Sequence, residues 1–535
     1  MSMDAASLPN DVNTLKALVA QSTATIAEHV ATIQELTGKL SKLEHYVEQL
    51  VRARYGPRSE PFDPHQLVLF DATAPVKEAN ETARPDERPV AVKEHTRRGG
   101  GRQELPEHLP REVVEHDLAD DQKRCPGCGH ERARIGCEES EQLEYVPAVL
   151  KVLVHRRWKY ACRCCQEHVA LAPPAPRPID KGLPGPGLLA ALVTGKYGDH
   201  LPLYRLEDVF FRAGVELSRS TLCRWALETA EILRPLYDLL VHEVRQSQVI
   251  HTDDTPMPVL DPELPHTRTA RLWVYCGDWR HPFTVYDYTT SRKRDGPQQF
   301  LNGYAGYLQA DAYGGYDGIY AGGLVKQVLC WAHARRKFYE ARTVQPVEAH
   351  AALAFIARLY AVEDELNGLR YPISPTSDLV QVTRRWHRER RRVRQHQSLV
   401  ILGEFRQWLE QAERQVLPKS PVGQAIGYVL PRWDALARYC EDGCLSIDNN
   451  LSERMIRPCA IGRKNYLFFG SDEGGRAAAV LYSFMASAKR NQVEPFAYVR
   501  DLLESFSTNS PPDLTPLLPG AWLAAHPNHR RNWSR

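Results

Sequence analysis

The stretch Gln248-Val249-Ile250-His251-Thr252-Asp253-Asp254-Thr255-Pro256 decides how the middle of this chain folds. It reads as a short strand that ends in acids. Strands follow at Arg271-Leu272-Trp273-Val274-Tyr275-Cys276 and Phe283-Thr284-Val285-Tyr286-Asp287-Tyr288. A fourth, Gly306-Tyr307-Leu308-Gln309-Ala310-Asp311, again ends in an acid. A fifth, Lys326-Gln327-Val328-Leu329-Cys330, leads to Trp331-Ala332-His333-Ala334-Arg335-Arg336-Lys337-Phe338.

Three strands and then a fourth with an acid is the order of a ribonuclease-H-like core. There the carboxylates of the first and fourth strands sit side by side and a helix supplies a third. The helix candidate is Asp448-Asn449-Asn450-Leu451-Ser452-Glu453-Arg454-Met455-Ile456-Arg457-Pro458. Asp448 or Asn449 can cap it, and Glu453 and Arg457 share a face at i, i+4. A lone Asp at a strand end is usually a cap or turn residue, and Asp448 is a rival to Glu453 as a ligand.

Outward from this core the chain divides further. With 535 residues it is long enough for three or more domains. The expected class is multidomain α+β. Residues 12–51 carry apolar heptad positions, including Ile26, Ile33, Leu36, Leu40, Leu43, Val47 and Leu50. They read as a coiled-coil oligomerisation helix within 1–56, with an amphipathic helix packed on its own protein as the alternative. Residues 57–104 read as a proline-rich linker ending in a basic arm, Arg97, Arg98 and Arg102. That arm suits a DNA minor groove or plain solvent.

Within 105–172, Cys125-Pro126-Gly127-Cys128 and Cys162-Arg163-Cys164-Cys165 supply two Cys-x-x-Cys pairs. Cys125, Cys128, Cys162 and Cys165 can close a tetrahedral thiolate cage around structural Zn²⁺. Cys164, Cys137 and His130 are rival ligands. Residues 173–245 turn helical. A helix at 203–211, a glycine turn and a second helix starting near Ser218 or Ser220 make a helix-turn-helix candidate, with a plain helical hairpin as its rival. Arg219 and Arg224 would face DNA in the first reading.

The formal net charge is only +2, so nucleic-acid contact must come from local clusters rather than the whole surface. No basic segment followed by an apolar run opens the chain, and no stretch is long enough to span a membrane, so a cytoplasmic protein is expected. Its 12 cysteines then read as thiols or metal ligands rather than disulfides.

Four motifs together carry a family resemblance: Thr252-Asp253-Asp254-Thr255-Pro256, Gln309-Ala310-Asp311-Ala312-Tyr313, Cys330-Trp331-Ala332-His333-Ala334-Arg335-Arg336 and Ile447-Asp448-Asn449-Asn450-Leu451-Ser452-Glu453-Arg454. They resemble the signatures of the IS 66 family of insertion-sequence transposases. Arg463-Lys464-Asn465-Tyr466-Leu467-Phe468-Phe469-Gly470-Ser471 is similar as well. Residues 57–94 add little to the likeness, and Asp254 stands where the family usually has Glu.

The resemblance implies an Asp–Asp–Glu transposase that frees the 3′ ends of an insertion sequence and joins them to target DNA. Asp253, Asp311 and Glu453 would be the triad holding Mg²⁺ or Mn²⁺, which take hard oxygen ligands. The core would be split, 246–341 and 446–490, by a helical insertion at 342–445, with 491–535 as a C-terminal segment. The insertion holds Arg384, Arg385, Arg388, Arg390, Arg391, Arg392 and Arg394, a density suited to DNA phosphates. Arg457, Arg463 and Lys464 form a second basic group beside Glu453. His333 and Asn449 are candidate supporting residues. Cys330 and His333 form a Cys-x-x-His pair whose role is open, since two ligands cannot fill a zinc site alone.

The expected partners are double-stranded DNA, at least one further copy of the chain and accessory proteins of the same element. A structure-specific nuclease on the same core, and a transposase-derived DNA-binding protein with an idle triad, are the rival readings.

Overall fold

The computed structural model describes residues 182–368, 379–508 and 512–533 continuously, with short stretches at 150–156, 159–161, 169–171 and 175–180 and scattered positions between 11 and 32. The four paired cysteines, the basic arm at 97–102 and most of the heptad segment lie outside the described residues. The described positions from 16 to 32 are helical, and Ile26 and Val30 on them are exposed.

The chain forms two compact units, Ala74–Arg156 and Met1–Thr73 with Arg157–Arg535. In the first, the described residues 150–156 have no regular secondary structure. In the second, a small antiparallel ladder pairs Lys159–Ala161 with Val169–Leu171.

The centre of the second unit is a five-stranded sheet: β1 (Val249–Val259), β2 (Arg268–Cys276), β3 (Thr284–Thr289), β4 (Gly306–Ala310) and β5 (Val325–Leu329), in the order β3-β2-β1-β4-β5. β1 to β3 form an antiparallel meander, whereas β4 and β5 run parallel to β1. The middle strands must be apolar on both faces to be covered on both. Ala270 and the run Leu272-Trp273-Val274-Tyr275-Cys276 on β2 are indeed all fully buried. β1 pairs with β4 only at residues 249–251, while its pairing with β2 continues from His251 to Val259. The two parallel strands therefore part just before Asp253. Continuing their register beyond His251 opposite Gln309 places Asp253 opposite Asp311.

Ahead of the sheet, α1 (Leu203–Arg212) and α2 (Arg219–Arg245) form the hairpin expected near 203–245. Gly214 turns the chain at φ +87°, a conformation glycine adopts without strain, and the Ser218 side chain caps α2 by accepting from Thr221 N. α2 is far longer than a short recognition helix. Its later turns bury Leu233, Leu236 and Leu240, and Tyr237 Oη donates to the Tyr286 carbonyl on β3 (2.8 Å). It is a core helix whose first turns alone present Arg219 and Arg224, both exposed.

After β5 come α3 (Trp331–Ala341), α4 (Pro346–Gly368), α5 (Leu379–Val393), α6 (Leu399–Glu413) and α7 (Pro421–Val429). They share one apolar core in which Trp331, Phe338, Ile356, Phe405, Ile426 and Leu436 are buried together with Val328 and Leu329 of β5. α5 and α6 are joined by a π-helical turn, Arg394–Ser398. α8 (Asn450–Tyr466) then returns to β1 and β2, and α9 (Asp472–Arg490) covers β3 and α2. No described helix is long and apolar enough to cross a membrane.

The arginine-rich run does not face outward as a block. Arg384, Arg385, Arg388 and Arg391 are exposed, and Arg392 is exposed but paired with Glu389. Arg390 and Arg394, read above as available to phosphates, are buried on either side of Glu363. The helical period explains the division: residues four apart share a face, and this face points into the core.

Candidate active site

Two adjacent acids on a strand must point to opposite faces. Asp254 points to a pair of cations, with Oδ2 2.9 Å from Arg271 Nη1 and Oδ1 2.8 Å from Arg292 Nη2, and its side chain is almost fully buried. Asp253 points the other way and has no cation among these contacts. Among the described residues its close donor is the Asp254 backbone N–H at 2.8 Å. Burial pushes its pKa up to about 7. That N–H pulls down, and the charges of Asp311, Asp254 and Glu453 push up again. Asp253, Asp311 and Glu453 thus share one electrostatic neighbourhood.

Asp311 follows the last residue of β4 and accepts from Tyr313 N (3.1 Å), which fixes the turn that leaves the strand. Glu453 sits in the first turn of α8 with its side chain about a third exposed. The segment before that helix is tied down residue by residue. Gln309 Nε2 donates to the carbonyls of Ser446 (2.6 Å) and Asp448 (2.9 Å), and Trp331 N donates to that of Ile447 (3.1 Å). Asn449 Nδ2 donates to the Thr252 carbonyl (2.8 Å), its Oδ1 accepts from His251 Nδ1 (3.2 Å), and its own N–H donates to Cys330 Sγ (3.2 Å).

Of the two candidate caps, Asn449 does not cap α8 with its side chain. It pins the start of the helix to the residue before Asp253 and to the turn after β5. Asp448 does the capping work instead, accepting from Asn450 N (3.2 Å) while Tyr360 Oη donates to its other oxygen (3.2 Å). Asn449→Ala should remove two buried bonds and leave a carbonyl and a ring N–H unpaired. A loss of roughly 2 kcal/mol or more is expected, read by chemical denaturation; an unchanged midpoint would contradict this role.

Of the expected basic group on α8, Arg457 and Lys464 are exposed. Arg463 is not wholly free: its Nη1 donates to Thr255 Oγ1 (3.1 Å) and to the Pro256 carbonyl, which ties α8 to the end of β1. Arg219 is exposed and loosely paired with Glu207 at 3.4 Å. Gln309, Arg271 and Arg292 had no expected role. Strand alternation was the signal that Asp254 needed partners of its own, but which cations would reach it depends on β2 and the loop after β3.

Family models match three regions: Transposase IS66 family over residues 181–477, zinc-finger binding domain of transposase IS66 over 122–166, and Transposase C of IS166 homeodomain over 42–114. The first covers more than half of the chain and spans all three acids.

The chain belongs to the IS66 transposase family.

Two proteins of Sinorhizobium fredii (strain NBRC 101917 / NGR234) are similar along most of its length. "Uncharacterized protein y4jD" is 32% identical over 521 residues, covering 92% of this chain and 96% of that protein. "Uncharacterized protein y4qI" is 31% identical over 547 residues, covering 96% and 97%. The family match at 42–114 also corrects the reading of 57–94 as a stretch with little family signal, since it runs through that stretch. All four paired cysteines fall inside the zinc-finger match.

For this IS66 family member the Asp253 pKa has a consequence for stability. An acid held at about 7 in the fold, against an ordinary value of 3.8, binds more protons folded than unfolded between those limits. Stability must then fall as pH rises through that window. Without divalent metal the wild type should lose melting temperature from about pH 4 to 7 relative to Asp253→Asn. Parallel pH profiles of the two proteins would contradict the expectation.

Proposed function

We propose that the chain is an Asp–Asp–Glu DNA transposase that cleaves the ends of an insertion sequence and joins their 3′ ends to target DNA. The observation that supports the reading is that β1 and β4 part just before Asp253 and Asp311, and that the charges of Asp311 and Glu453 both push the Asp253 pKa up. The strand order β3-β2-β1-β4-β5, with a helix returning the third acid, supports a ribonuclease-H-like core.

Three carboxylates that act on one another's charge, without a cation among the described residues' contacts to Asp253, are by their chemistry a donor set that fits Mg²⁺ or Mn²⁺. When bound, such ions polarise the phosphate and activate the attacking oxygen. Asp253, Asp311 and Glu453 would hold them. Asn449 and Gln309 fix where Glu453 stands relative to β1 and β4. Exposed Arg457, Lys464, Arg384, Arg385, Arg388 and Arg391 offer charge to DNA phosphates, as do Arg219 and Arg224 on α2. Zn²⁺ at Cys125, Cys128, Cys162 and Cys165 and pairing of two copies through 12–51 belong to the same reading, since two element ends must meet.

The test is the full-length protein with labelled element-end DNA, unlabelled target and Mg²⁺. Cleaved ends and joined products are expected. Cleavage without joining would favour the nuclease, and binding with neither product would mark an idle descendant.

A further inference from the structure

A Cys-x-x-His pair supplies two ligands, and the fold brings a third. Cys330 Sγ, a ring nitrogen of His333 and a carboxylate oxygen of Glu453 lie within 4.8 Å of one another. His333 Nε2 stands 3.9 Å from Glu453 Oε1, too far for a hydrogen bond. Its Nδ1 is buried without a partner among the described residues. The protein thus holds an imidazole with one buried, unpartnered nitrogen among the described residues, grouped with a thiol and a carboxylate.

The backbone makes the arrangement firm. Cys330 is the N-cap residue of α3 and His333 lies in its first turn, so their spacing is set by one rigid turn. Glu453 comes from α8, whose lead-in is fastened to Cys330 by the Asn449 N–H at Sγ (3.2 Å). A tetrahedral ion with ordinary Zn–S, Zn–N and Zn–O lengths needs roughly 3.3–3.6 Å between donors. Small side-chain rotations close the remaining gap. Mixed sulfur, nitrogen and oxygen donors suit Zn²⁺ and its like, whereas Mg²⁺ avoids thiolate.

We propose that Cys330, His333 and Glu453 form a binding site for a thiophilic divalent ion of the Zn²⁺ class, and that filling it draws Glu453 away from Asp253 and Asp311. On binding, the Cys330 thiol gives its proton to solvent and its sulfur lone pair to the ion; nothing is oxidised. The fourth position is left to water. The site shares no residue with the four paired cysteines, and its effect on DNA cleavage rests on the role proposed above for Glu453.

Co²⁺ titration of the full-length protein tests the site without reference to activity. The wild type should take up one equivalent more than Cys330→Ser, with a sulfur-to-cobalt charge-transfer band in the difference spectrum. His333→Ala should weaken that uptake at least tenfold. Glu453→Gln, at a partly exposed position, should also weaken it and guards against misfolding of the buried cysteine variant. Asp253→Ala should keep the band. Equal uptake and equal spectra for wild type, Cys330→Ser and Glu453→Gln would overturn the site. In the cleavage assay, Zn²⁺ added over Mg²⁺ should inhibit the wild type severalfold more than Cys330→Ser, each measured against itself. The extra equivalent bound with no such inhibition would overturn the link to Glu453. If Asp253→Ala still cleaves, the triad reading fails while the cobalt result stands.

Discussion

Asp253→Asn, Asp311→Asn and Glu453→Gln should each lower DNA cleavage and joining by about a thousandfold or more while end binding stays within a few fold. Metal-assisted phosphoryl transfer draws several kcal/mol of barrier lowering from correctly held ions, and each 1.36 kcal/mol is about tenfold in rate. These replacements remove one ligand charge without changing side-chain size, and none of the three acids ties the fold together in the way Asn449 or Gln309 does. Asp253 is even relieved of an unfavourable charge by the change, so its variant should be no less stable than the wild type without metal.

Asp254 supplies the contrast. Its carboxylate is buried between Arg271 and Arg292, so Asp254→Ala strands two cations and should act first on stability. Measuring single-turnover cleavage and thermal melting on the same preparations separates the two acids. An inactive but stable Asp254→Ala beside an active Asp253→Asn would reverse the assignment on β1.

Glu363→Gln should be the most destabilising single change outside the site. Glu363 accepts from Arg394 Nε and Nη2, both at 2.7 Å, and from Arg390 Nη2 at 3.0 Å, with all three side chains buried. Removing one partner from a buried ion pair costs roughly 3–5 kcal/mol because the remaining charge has no water to turn to. The two arginines also hold the approach to α8. Arg394 Nη1 donates to the carbonyls of Tyr439 (2.8 Å), Asp442 (3.2 Å) and Leu445 (2.9 Å), and Arg390 Nη1 to that of Gly443 (2.9 Å). That loop packs so closely on α5 that a Cβ at Gly443 would lie 1.8 Å from the His387 carbonyl oxygen.

Loss of Glu363 should therefore loosen the segment that delivers Glu453 as well as lower the denaturation midpoint. Hydrogen exchange at residues 439–449 should rise more than at β2. The double variant Glu363→Gln with Arg394→Met should recover part of the loss, since it removes a stranded charge. A midpoint shifted by less than about 1 kcal/mol would show that water reaches the arginines and relieves them.

The sequence by itself determined the strands, the acid that follows the fourth and the helix that carries Glu453; the first strand, read as ending in Asp253 and Asp254, instead runs on to Val259 because β2 continues to pair with it. Local pattern suffices for these: alternation and breakers mark strands, and an acid at a strand end or a polar cap before a helix is visible along the chain. The motif set also made the family legible, and the heptads and paired cysteines stand in the sequence as spacings.

The tertiary structure alone decided which cations are available and which are consumed. Arg384 and Arg394 look alike in the sequence, but burial against Glu363 is settled by an acid some thirty residues upstream. Asp253 and Asp254 are neighbours of one kind, separated only by which face of β1 meets Arg271 and Arg292. Asp448 and Asn449 read as equal candidates for the helix cap until the Asn449 amide is found on the Thr252 carbonyl of a strand far away in the chain. Cys330 and His333 remain an incomplete pair until α8 folds back and sets Glu453 beside them. In each case the deciding partner is remote in sequence, so no local period or spacing records it, and the long-range packing of α8 on β1 brings the groups together.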